Sequence, residues 1–104
     1  MQAEQRHSIR KKIPLNIVIN HDLAYSERWK VRDLSLSGAR LEAADGLSPG
    51  TPVEAVLTLK EHDGYGLHRV PADVVRVDRD GVALRFRRYD DRTYTALVNF
   101  LYSG

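Results

Sequence analysis

The sequence predicts a mainly β fold, an antiparallel barrel closed by a single C-terminal α-helix. Three observations carry this. Apolar residues recur at every second position through most of the chain, glycine-containing turns separate these runs, and the C-terminal segment alone switches to three- and four-residue spacing. At 104 residues the chain has the size of one domain, and 42% hydrophobic content suffices for one modest core.

Residues 1–12 are polar and follow neither period, so they are expected to form a flexible N-terminal arm, with the barrel and its helix over 13–104. From Ile13, the residues Leu15, Ile17 and Ile19 alternate with Asn16, Val18 and Asn20 as a first strand with one face inward; Pro14 belongs at its start or at an edge. Trp29 and Val31 open a second alternating run. It enters Asp33-Leu34-Ser35-Leu36-Ser37-Gly38, where small polar residues and glycine predict a bend or bulge before the next strand resumes at Ala39 and Leu41.

Asp45 to Gly50 is a turn-rich connection, after which Val53, Ala55, Leu57 and Leu59 define one face of a further strand. Lys60 to Gly66 reads as a polar loop. Val70, Ala72 and Val74 alternate while Val75 and Val77 take the opposite parity, which predicts either a bulge or a strand with both faces partly covered. Asp80-Gly81 predicts a hairpin turn into Val82, Leu84 and Phe86, whose opposite face is basic through Arg85 and Arg87. Asp90 or Asp91 then caps a helix with an apolar stripe of Tyr94, Leu97, Val98 and Leu101, which makes Tyr94 and Tyr102 packing residues. Closing the barrel removes exposed strand edges, and the helix covers an opening.

Sixteen basic and 14 acidic residues give a formal charge of +2, which argues against a nucleic-acid binder that relies on overall charge. The local excess lies at the amino end, in Arg6, Arg10, Lys11 and Lys12. With no cysteine there is no disulfide, thiol nucleophile or thiolate metal site, and the four histidines are too dispersed to replace one. No apolar stretch is long enough for a membrane span, and the basic start never enters a secretory apolar run, so an unexported, cytoplasmic protein is expected. No Ser-His-Asp or metal constellation is evident, and Asp73, Asp78 and Asp80 read as strand and turn residues. The expectation is a protein that is not an enzyme and carries no cofactor.

Two short segments remain: Arg6-His7-Ser8-Ile9-Arg10, an arginine pair just before the first strand, and the Asp33 to Gly38 turn. Each alone is short enough to arise by chance. In this order they resemble the PilZ family, small bacterial β-barrel domains that typically bind the second messenger cyclic di-GMP through an RxxxR segment and a downstream D/NxSxxG segment. Both motifs are complete, and the resemblance runs on through the Val-rich strand to Val77, the Gly81 turn, Phe86 and the terminal helix. It implies a six-stranded antiparallel barrel with a C-terminal α-helix and a noncatalytic receptor of cyclic di-GMP. It also implies a flexible arginine segment that wraps across the ligand, and settings such as motility, adhesion or biofilm formation.

The residue chemistry suits that ligand. Arg6 and Arg10 carry planar donor forks that match phosphate oxygens and the O6/N7 edge of guanine, and they stack on purines as lysine does not. Asp33 can accept from the guanine N1–H and exocyclic amine, a donor pair that adenine lacks in that arrangement. Ser35 either bonds a phosphate or steadies the turn, and Gly38 permits either a positive-φ bend or close backbone approach. Leu34 and Leu36 read as packing residues. Gln5 stands where many relatives have a further arginine; with one cation fewer against the four phosphate charges of a stacked ligand pair, one cyclic di-GMP per site is expected.

Ordering of the arm on the ligand would change the surface offered to a downstream protein partner. Two other readings stand beside this one. A small single-stranded nucleic-acid-binding barrel would use the basic amino end and Arg85 to Arg88, but Trp29 has core spacing and the tyrosines are dispersed, which leaves no stacking platform. A protein-interaction adaptor with lost ligand binding is opposed by the intact arginines and Asp33.

Overall fold

The computed structural model describes residues 15–21, 25–42 and 46–102. They form β1 (Leu15–His21), β2 (Tyr25–Leu34), β3 (Gly38–Glu42), β4 (Pro52–Glu61), β5 (Gly64–Asp78), β6 (Gly81–Phe86) and α1 (Asp91–Tyr102). The strands close into an antiparallel barrel in the order β1-β2-β3-β6-β5-β4, with β4 returning to β1 through Val18 opposite Val56 and Ile19 opposite Ala55. The period-two residues point inward as expected. Ile17, Ile19, Leu41, Ala55, Leu57, Leu59, Val70, Ala72 and Val74 are all buried in one core, and Trp29 is half-buried against it.

The expected bend between β2 and β3 falls at Leu36 and Ser37, the expected bulge in β5 is present, and β2 carries a further register shift just upstream of the motif. The β2–β3 register shifts between Val31 and Asp33, and the β5–β6 register shifts between Val74 and Arg76, which turns Val75 out to solvent. The polar stretch from Lys60 to Gly66 is not a loop. The strands pair without a break to Glu61 opposite Gly64, and His62-Asp63 make a two-residue turn that Gly64 enables at φ +125°. Polar composition misled there because the hairpin tip faces water on both sides, so its strands carry no alternation.

The helix begins as expected, and Leu97 and Leu101 of the expected stripe face inward, but Tyr94 does not. The Asp90 carboxylate accepts from the Thr93 N–H at 2.9 Å, an N-cap that satisfies one orphan donor of the first turn. Thr93, Ala96, Leu97 and Leu101 are buried, whereas Tyr94 and Tyr102 are 50% and 42% exposed. The tyrosines are therefore not the packing residues that the spacing suggested. The inward face is rotated because Thr93 meets the fully buried His68 of β5, Nδ1 to Oγ1 at 2.8 Å. On its other side, His68 Nε2 lies 2.6 Å from Glu61 Oε2, and Arg92 reaches the same carboxylate oxygen at 3.0 Å. This polar cluster joins the β4–β5 hairpin to α1 over the barrel end where β2 also turns into β3.

Candidate functional site

The second motif occupies the end of β2, the following turn and the first residue of β3. The bulge after Val31 lets Asp33 and the fully buried Leu34 follow each other under cover: Asp33 is 8% exposed and opposite Arg40, and Leu34 enters the core. The chain then reverses through Ser35, Leu36 and Ser37. Ser35 is fully buried, and its N–H donates to the Gly38 carbonyl at 2.9 Å. Its hydroxyl lies 3.3 Å from that same carbonyl, accepts from the Ser37 N–H at 3.3 Å and lies 3.2 Å from the Ser37 hydroxyl. All four contacts are internal to the turn.

Gly38 is required by close approach. A Cβ there would sit 2.0 Å from the Leu84 carbonyl oxygen, a backbone atom fixed in the β3–β6 ladder, and Gly38 is not among the positive-φ glycines. The same ladder sets Arg85 directly opposite Gly38, so an exposed cation stands beside the turn. In the sequence Arg85 belongs to a basic strand face; the register is what brings it here. Of its basic neighbours, Arg87 pairs with Asp73 at 3.4 Å and Arg32 donates to the Asp80 carbonyl at 3.0 Å, and both contacts are at the surface.

Tyr89 carried no periodic signal in the sequence. Its hydroxyl donates to the Leu36 carbonyl at 2.6 Å, and its ring stands edge-on to Phe86 with centroids 6.1 Å apart. Phe86 in turn donates its N–H to the Ser37 carbonyl at 2.9 Å. Burial, with a smaller contribution from Tyr94, raises the Tyr89 phenol above its ordinary pKa, so it remains a donor throughout the neutral range. The next residue, Asp90, is held below the usual carboxylate value chiefly by its hydrogen bonds from Thr93.

On the other flank of α1, a cleft of about 320 Å³ is lined by Lys60, Glu61, His62, Arg92, Thr95, Ala96 and Asn99. Among the described residues, no group of three His, Asp or Glu is placed to hold a metal ion, and no helix is long and apolar enough to cross a membrane. Arg6 and Arg10 lie outside the described residues, as does the arm of residues 1–12. The described part of β1 starts at Leu15, opposite Val31 on the strand that carries Asp33.

The PilZ domain family model matches residues 4–103. Among solved structures, the PilZ domain of CeSA from a cellulose-synthesizing bacterium aligns with a TM-score of 0.67 at 19% identity, covering 89% of this chain and 94% of that one. The Bacillus subtilis inhibitor of motility aligns with a TM-score of 0.73 at 20% identity, covering 89% of this chain and 47% of that longer one. At these identities the likeness is one of fold. No curated protein matches the chain.

Proposed function

This chain belongs to the PilZ family, whose domains are noncatalytic receptor modules, and from that premise we propose that it is a cytoplasmic receptor that binds cyclic di-GMP at the Asp33–Gly38 turn. Arg6 and Arg10 clamp phosphate and guanine from the arm, while Asp33 reads the guanine edge. Ser35 and Gly38 complete the second segment by giving it its shape. The observation that carries this reading is the register of β1 on β2. β1 begins at Leu15, opposite Val31 on the strand that carries Asp33, and this register supports the reading. An extended chain spans at most about 3.5 Å per residue, so Arg10 is tethered within about 18 Å of Leu15.

Arg85 adds a cation beside the turn, which favours an anionic ligand there. Binding orders the arm on the barrel and alters the surface presented to a downstream protein. Amide exchange over residues 1–12, measured with and without cyclic di-GMP, tests the reading. Slowed exchange in the bound state supports it; binding with unchanged exchange contradicts arm ordering, and salt-sensitive oligonucleotide binding without cyclic di-GMP binding favours a nucleic-acid barrel instead.

A further inference from the structure

Three successive carbonyls of the Asp33–Gly38 turn each have a donor within the protein. Leu36 accepts from the Tyr89 hydroxyl, Ser37 from the Phe86 N–H, and Gly38 from the Ser35 N–H. The negative ends of all three peptide dipoles are thereby directed at the protein. This matters for a ligand that carries two phosphates, because a carbonyl swung toward it would repel it. Two of the three donors are backbone N–H groups fixed by the fold. The third is a side chain, and it is the one that spans from the turn to the start of α1.

We infer that Tyr89 is a positioning residue for the ligand site: its hydroxyl fixes the Leu36–Ser37 peptide so that the Leu36 carbonyl is held toward the protein and not toward an anionic ligand at the turn. The inference rests on the receptor reading above. Tyr89 is suited to the task because its ring is braced edge-on by Phe86 and its burial keeps the phenol protonated. It also directly precedes the helix cap Asp90, so the ligand turn and the N-terminus of α1 are tied through two adjacent residues.

The test compares wild type, Tyr89→Phe and Tyr94→Phe. Tyr94→Phe removes a hydroxyl from the half-exposed face of α1 and serves as the control. Calorimetry with cyclic di-GMP gives the affinity, thermal melting gives stability, and the carbonyl ¹³C resonance of Leu36 reports the hydrogen bond itself. Tyr89→Phe should weaken binding about three- to tenfold, the equivalent of one ordinary hydrogen bond, and should shift the Leu36 carbonyl resonance, while Tyr94→Phe changes neither. A purely structural role would lower the melting temperature and leave affinity intact, which overturns the inference. Wild-type protein that fails to bind cyclic di-GMP overturns the receptor reading and the inference together, whereas wild type and Tyr89→Phe binding equally well overturns the inference alone.

Discussion

The imidazole of His68 meets the hydroxyl of Thr93 at 2.8 Å in a site where the histidine is fully buried. This contact is what orients α1 on the barrel, since it places a threonine on the inward face of a helix whose spacing alone would have put Tyr94 there. Truncation by His68→Ala leaves a cavity and removes the partner of a buried hydroxyl, and should cost about 2–4 kcal/mol of unfolding free energy in urea titrations. Thr93→Val, which keeps the volume, should cost about 1–2 kcal/mol. Wild-type stability in both variants would mean that the cluster does not fasten the helix.

Gly38→Ala is expected to be among the most damaging single substitutions. The added methyl meets the Leu84 carbonyl oxygen at 2.0 Å, and relief requires separating β3 from β6. A loss of about 3 kcal/mol or more is the expected outcome of overpacking against an immovable backbone atom. Chemical denaturation measures it, and a loss below about 1 kcal/mol would show that the ladder gives way easily.

The cap at Asp90 makes part of the helix stability dependent on pH. Its folded-state pKa lies below the ordinary 3.8, so its contribution is fully present above that value and is lost as pH falls through the lower folded value. Asn can fill the same cap position, but it carries no charge toward the helix N-terminus and does not titrate. In melts across acid pH, the advantage of wild type over Asp90→Asn should therefore be constant near neutrality and shrink below about pH 4. An advantage that grows in acid would contradict the sign.

Asp33 is assigned base selectivity, and its removal should act on one ligand class. Asp33→Ala should weaken cyclic di-GMP binding by about 1–3 kcal/mol, the range for a bidentate base contact, while leaving weak cyclic di-AMP binding unchanged. Calorimetry with both dinucleotides distinguishes this from a general loss. Equal weakening toward both would assign Asp33 to the shape of the turn.

The barrel was legible in the sequence wherever a strand has one face inward, and so was the β5 bulge, through the change of parity in Val74-Val75-Val77; the shift after Val31 in β2 carried no such signal. The β4–β5 hairpin tip was not legible, since residues wet on both faces carry no alternation. His68 was available to parity, as it falls in the inward series with Val70, Ala72 and Val74, but nothing local announces that an inward histidine will find Thr93 twenty-five residues later. Tyr89 and Arg85 reach the Asp33–Gly38 turn only through the pairing of β3 with β6, a long-range register that short spacings do not encode. Arg6, Arg10 and Asp33 stand out in the sequence as types that suit a phosphate and a guanine, the role that the proposed function gives them.

The account's central claim is that the arginine arm and the Asp33 turn grip one cyclic di-GMP together. Calorimetric titration of wild type, Arg10→Ala and Asp33→Ala, with circular dichroism confirming an unchanged fold, tests it most directly. The prediction is selective binding of one ligand by wild type over GTP and cyclic di-AMP, and a loss of about fivefold or more in each variant. Variants that bind as tightly as wild type would contradict the claim.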